Sequence, residues 1–213
     1  MSREEKIKSM GFDPHTVWYH GTNANFDSFK IDDTPKNGDE HGAGIYFTKY
    51  PDVANAYAAP DKEGANVIPV HLKLKKELKK PLTRVQIHKI ISDSPHLEDS
   101  LYNFGDLKYY GKHKVLNDAI NSYTHLEDPK HQLRALHNDF YGGSNTNIFL
   151  KNVSKHTGAD HHYFNLSGDE KGGVVVYQPH QIRSIHASYN KSKAKSSNIM
   201  ESFKMHLLKI YEK

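Results

Sequence analysis

Apolar residues along this chain recur at two different periods, and the switch between them organises it. Ser2 and Glu5 form a capping-box pair, Ile7 and Met10 give the segment one apolar side, and Gly11 stops it, which predicts a short first helix. Val17-Trp18-Tyr19-His20 reads as a buried strand entering a turn at Gly21-Thr22-Asn23. Phe26, Phe29 and Ile31 follow with polar residues between them, and residues 32–43 are rich in turn formers. Gly44-Ile45-Tyr46-Phe47-Thr48 alternates with period 2, so Ile45 and Phe47 share one face and Tyr46 and Thr48 the other. Pro51 and Asp52 suit the first turn of a helix that carries Val53, Ala54, Ala56 and Tyr57 at helical spacing. Val67 to Leu74 predicts a third strand.

From Thr83 to Gly158 the period becomes helical. Val85, Ile87, Ile90 and Ile91 recur at helical intervals, as do Val115, Leu116, Ala119, Ile120 and Tyr123. Asp128-Pro129 is a start signal and Gly142-Gly143 a stop, so helices are expected over about 83–93, 113–126, 128–141 and 145–157. Strands return at His161–Leu166, Gly173–Tyr177 and Ile182–Ala187. The pattern therefore predicts an α+β domain over 1–189 with a helical insertion at about 83–157. A charged linker and an amphipathic C-terminal helix follow over 190–213.

Composition narrows the chemistry. The 213 residues include no cysteine, which excludes disulfides, thiol nucleophiles and thiolate metal sites. Apolar residues at 36% and aromatics at 11% are enough to fill a core. No run approaches the roughly 18 apolar residues of a transmembrane helix. The opening MSREEKIKSM lacks an apolar signal region, so a cytoplasmic protein is expected, or one delivered into a host cytoplasm. A net charge of +4 permits contact with nucleic acid without arguing for it. No Gly-rich phosphate loop, His-Glu-x-x-His helix or Gly-x-Ser-x-Gly elbow is present. His161 and His162 are adjacent, so on a strand they face opposite sides, and no metal site is expected.

Three short pieces carry a resemblance: Tyr19-His20-Gly21-Thr22, Gly44-Ile45-Tyr46-Phe47-Thr48 and Val53-Ala54-Asn55-Ala56-Tyr57. In order and spacing they resemble ADP-ribosyltransferases of the diphtheria-toxin and poly(ADP-ribose) polymerase branch, most closely the transferase domains of phage and mobile-element polyvalent proteins. Val70 to Leu74 before Pro81-Leu82, and the closing VVVYQPHQIRS of Val174 to Ser184, fit the same branch. The resemblance covers about residues 10–82 and 158–187. It implies split antiparallel β-sheets around an NAD cleft, and mono-ADP-ribosylation of a macromolecular acceptor, protein or nucleic acid. NAD+ is then a consumed substrate. A toxin-like or phage effector role, with an antitoxin or immunity protein as a further partner, belongs to the same implication.

Site roles follow from the resemblance and agree with the chemistry. Cleaving the nicotinamide–ribose bond develops positive charge on the ribose, as in glycoside hydrolysis. The site needs a grip on the ribose, a flat sandwich for the nicotinamide ring and a nearby carboxylate. His20 is expected to donate to a ribose hydroxyl and Gly21 to offer its backbone to the carboxamide. Thr22 completes the strand-end motif, and Tyr46 and Tyr57 form the stacking pair. The branch usually has an acidic residue eight positions before the Gln of the Gln-Ile turn. Here that Gln is Gln181 and the position holds Gly173. Glu170 is the first candidate to supply the carboxylate by a bulge at Gly172-Gly173, with Asp169 and Asp160 as alternatives. Two other readings stay open: a catalytically inactive transferase-fold binding module, which Gly173 favours, and a basic nucleic-acid-binding protein.

Overall fold

A computed structural model describes residues 1–24, 26–31, 33, 42–59, 65–165, 172–187 and 189. In chain order its elements are α1 (Arg3–Ser9), β1 (Trp18–Thr22), β2 (Ile45–Thr48), α2 (Pro51–Tyr57), β3 (Asn66–Leu72), α3 (Arg84–Ser92), α4 (Leu97–Leu101), α5 (Leu107–Tyr110), α6 (Lys112–Thr124), α7 (Pro129–Tyr141), α8 (Thr146–Thr157), β4 (His161–Phe164), β5 (Gly173–Val176) and β6 (Ile182–Ser184). The fold is α+β. Two compact units divide the chain: Met1–Lys30, Ile45–Lys75 and Asn165–Lys213 form one, Ile31–Gly44 and Lys76–Phe164 the other. The expected linker and C-terminal helix, and the loop residues Asp169 and Glu170, lie outside the described residues.

The first unit is built on antiparallel strands in the order β5-β2-β1-β3-β6. β1 pairs with β3 along its whole length, from Trp18 opposite Val70 to Thr22 opposite Asn66. β2 pairs with β5 from Ile45 opposite Val176 to Thr48 opposite Gly173. β1 and β2 meet at one register position, Tyr19 opposite Thr48. The sheet is thus two ladders joined at a narrow seam, the split that the resemblance implies. All four residues of β5 are buried, which explains its unbroken apolar run where a half-solvated strand would alternate. Each fully buried Val or Phe contributes about 1.5–3 kcal/mol, so Phe47, Val70, Val174, Val175 and Val176 carry much of this core.

The chain closes on itself through Gln181. Its side-chain oxygen accepts from the backbone N–H of Tyr177 at 3.1 Å and of Gln178 at 2.8 Å, and its amide donates to the Lys73 carbonyl at 3.1 Å. The Lys73 N–H in turn donates to the Gln181 carbonyl at 2.8 Å. One side chain therefore fixes both the turn after β5 and the end of β3. At the sheet's far edge α1 forms as expected, with its capping box intact. Ile7 and Met10 pack with Phe12, Ala187 and Tyr189. The Tyr189 ring lies between two cations, Arg3 at 5.5 Å and Arg183 at 5.3 Å from its centroid.

The second unit is mainly helical. Thr83 and Gln86 make a capping box at α3, and the Asp128 carboxylate caps α7 ahead of Pro129. Gly142 ends α7 with φ 64°, in the left-handed region that favours glycine. Ile87, Ile90, Ile91, Val115, Ala119, Ile120 and Tyr123 are buried as their periodicity predicts, whereas Val85, in the first turn of α3, is exposed; Leu133, Phe140 and Phe149 complete the core. Buried Gln132 donates to the carbonyls of Leu82 at 3.3 Å and Tyr123 at 3.0 Å, binding α7 to the chain before α3 and to α6. The sequence pattern does not anticipate α4 and α5, because LEDSL and LKYY are too short to show a helical period.

Candidate functional site

The seam between β1 and β2 positions the site. Immediately beyond the Tyr19–Thr48 pair, the Nδ1 of His20 donates to the backbone carbonyl of Tyr46 at 2.9 Å. A side chain thus makes the cross-strand bond here. A carbonyl oxygen only accepts, so the hydrogen resides on Nδ1. The ring packs against Phe26, Phe29 and Phe47 with centroids 6.2, 5.2 and 5.4 Å away. Burial among these rings lowers the pKa of His20 below its usual value, against a smaller opposing effect of the Tyr46 bond. The imidazole is therefore neutral near pH 7. Its Nε2 is then a hydrogen-bond acceptor on a partly exposed ring. In this tautomer Nε2 carries no hydrogen, so it can accept a hydrogen bond but cannot make the donation that the sequence reading expects of His20.

Successive residues of a strand face opposite ways, so Gly21 looks away from the aromatic box. A Cβ at Gly21 would lie 1.7 Å from the carbonyl oxygen of Ala54 in α2. Only glycine lets the helix approach so closely. Tyr19 and Thr48 are cross-strand partners, and Gly21 and Tyr46 are each two residues from them, so Tyr46 projects to the side that α2 occupies. Tyr57 is the last residue of α2 and is 62% exposed. Its exposed ring is open to a ligand. Gly21 and Tyr46 thus face the side that α2 occupies, with Tyr57 at the end of that helix, while the His20 imidazole faces the aromatic box on the other side. The Thr22 hydroxyl accepts from the Ala24 N–H at 3.0 Å and shapes the turn after β1.

The carboxylate candidates separate. Gly173 opens β5 opposite Thr48, whose hydroxyl donates to the Gly172 carbonyl at 3.2 Å, so this strand end is pinned to β2 and carries no acid. Asp160 accepts from the Lys76 N–H at 3.1 Å and pairs with Nδ1 of His161 at 2.8 Å. That carboxylate is engaged within the second unit, joining β4 to the chain after β3. Phe26 and Phe29 join the site unanticipated by the motifs. Their signal was available, two aromatics three apart directly after the strand of His20.

Residues 14–192 match the family of ADP-ribosyltransferases in polyvalent proteins. The chain belongs to this family. The match includes the helical stretch that the short motifs leave out, so the second unit is part of the family's domain. As a member of an ADP-ribosyltransferase family, the chain carries a transferase domain, and such domains use NAD+ as the source of ADP-ribose. No curated protein and no solved structure matches the chain. Among the described residues, no helix is long and apolar enough to cross a membrane.

Proposed function

We propose that this domain is a mono-ADP-ribosyltransferase. It takes NAD+ as a consumed substrate and transfers ADP-ribose to a macromolecular acceptor, protein or nucleic acid, releasing nicotinamide. The bond between nicotinamide and the ribose C1′ breaks, nicotinamide leaves as a neutral ring, and the acceptor's nucleophile bonds to C1′ and loses its proton. The observation that carries this reading is the neutral His20 fixed on the Tyr46 carbonyl beside the wedge of Gly21 under α2. His20 accepts from a ribose hydroxyl through Nε2. Gly21 offers its backbone to the carboxamide, and Tyr46 and Tyr57 stack on the nicotinamide ring. Thr22 holds the turn that ends this wall of the pocket.

Glu170 supplies the carboxylate facing the developing cation, and Asp169 is its alternate. The support is chemical: a cationic centre in a partly dry site gains strongly from an anion, and Glu170 stands three residues before Gly173 in the chain. A second reading, an inert transferase-fold binding module, is favoured by glycine at position 173. Nicotinamide release on mixing the purified protein with NAD+ decides between the two. Release that is abolished by His20→Ala supports the transferase, and NAD+ binding without release supports the module. Labelled NAD+ in a cell lysate, split by protease and nuclease, identifies the acceptor class.

A further inference from the structure

Phe29 is the hub of the aromatic box around His20. Its ring meets the imidazole edge-on at 5.2 Å and 78°, meets Phe26 at 5.2 Å and meets Phe47 at 5.6 Å. It is only 4% exposed. Phe26 and Phe29 come from the loop after β1, so the chain folds back over the histidine it has just placed. An imidazole has three states to choose from, two neutral tautomers and one cation. The Tyr46 carbonyl selects Nδ1–H, and an apolar enclosure disfavours the cation.

We propose that Phe29 is a positioning residue for the transfer reaction. Braced by Phe26 and Phe47, it holds the His20 imidazole on the Tyr46 carbonyl as the neutral Nδ1–H tautomer, leaving Nε2 to accept from a ribose hydroxyl. This rests on the role proposed for His20 and adds which state acts and what enforces it. Among the described residues, Asp27 and Lys30 flank Phe26 and Phe29 in the chain and Lys49 follows β2, all exposed. Lys49 sits over the Trp18 ring, at 5.0 Å. Burial is the largest influence on the charge state of His20, with the bond to the Tyr46 carbonyl opposing it.

The test is nitrogen–proton correlation spectroscopy of the His20 ring in the free 213-residue chain, titrated from about pH 8 to about pH 5. The parent should show the Nδ1–H tautomer. Phe29→Gln sets an amide against the ring and should raise the His20 midpoint by at least about half a pH unit. The acid limb of nicotinamide release should move up with it. A merely structural role would lower the rate equally at every pH. Phe29→Leu keeps the site apolar but opens the edge contact. It should shift the midpoint less, in the same direction, and it carries the test if the Gln variant does not fold. An unchanged midpoint in a folded variant, or Nε2–H in the parent, overturns the proposal. The spectra need no NAD+. A parent that releases no nicotinamide would therefore defeat the ribose assignment of His20 separately, whereas full release with an unmoved midpoint would defeat the role of Phe29 alone.

Discussion

Gly21 lies so close to Ala54 that an added Cβ would fall 1.7 Å from the Ala54 carbonyl oxygen and 3.0 Å from the Ala58 nitrogen. Both obstacles are helix backbone, which cannot step aside as a flexible side chain can. Gly21→Ala must therefore push α2 off β1. Overpacking of a tight site costs about 1–3 kcal/mol, and a backbone clash belongs at or above the top of that range. The expected result is a clear drop in the urea midpoint together with loss of NAD+ binding. A Gly21→Ala protein as stable as the parent would mean that α2 is not seated as described.

Tyr57 should behave in the opposite way. Its ring is largely exposed, so Tyr57→Ala should leave the unfolding midpoint nearly unchanged. If it stacks on nicotinamide with Tyr46, the same change should weaken NAD+ binding by roughly 1–3 kcal/mol, and Tyr57→Phe should be milder because the ring is kept. Calorimetric titration with NAD+ measures both. Unaltered binding in both Tyr46→Ala and Tyr57→Ala would put the nicotinamide elsewhere.

Glu170→Gln separates catalysis from binding. An anion that matters mainly as charge develops should affect the rate far more than the affinity. A loss of at least about tenfold in transfer corresponds to only about 1.4 kcal/mol of transition-state stabilisation, with NAD+ binding nearly intact. Asp169→Asn should do less. Equal activity in Glu170→Gln and the parent would remove Glu170 from the reaction.

Much of this was legible in the sequence because the signals are local. The capping box at Ser2, Pro51 and Pro129 at helix starts, Gly142 at a helix end and the period-2 run of β2 all act within a few residues. The motif residues His20, Gly21, Tyr46 and Tyr57 could be named for the same reason. What they do to one another could not. Which nitrogen of His20 carries the hydrogen depends on the Tyr46 carbonyl, 26 residues away in the chain. The need for glycine at 21 depends on Ala54, which no local pattern shows. Phe29 looked like an isolated apolar residue until the loop after β1 closed on the imidazole.

Gln181 joins two distant segments, and its loss should be felt as stability. Gln181→Leu would leave the Tyr177 and Gln178 N–H groups and the Lys73 carbonyl without their side-chain partner. The Tyr177 N–H is buried and its loss of a partner costs about 1–3 kcal/mol; the part-buried Gln178 N–H and Lys73 carbonyl add less each. Urea denaturation should show this as a lower midpoint at constant slope. A change under about 1 kcal/mol would mean that water replaces the amide and the turn after β5 is held by other contacts.

Acid should destabilise the protein well above the range where carboxylates titrate. His20, His71 and His137 all have pKa values lowered from 6.5 in the folded chain, in each case chiefly by burial. Bonds to the carbonyls of Tyr46, Thr16 and Ser144 oppose the shift without cancelling it, and Arg3 adds to it at His71. The sign follows. Near pH 6.5 the unfolded chain takes up protons that the folded chain refuses, so unfolding is favoured as pH falls. The contribution of these residues is intact above about pH 7. It is lost as pH drops through 6.5, with a slope of up to about 1.4 kcal/mol per pH unit for each histidine, and it levels off below the folded pKa values. Unfolding free energies by urea at about pH 7.5, 6.5 and 5.5 should therefore fall with increasing steepness. His71→Gln can keep a donor for the Thr16 carbonyl, now 3.2 Å from Nδ1, and removes the titration, so it should flatten the slope by about one proton's worth. A parent curve that is level or rises between pH 7.5 and 5.5 would show that these rings are not held neutral. The tautomer assigned to His20 would lose its basis with them.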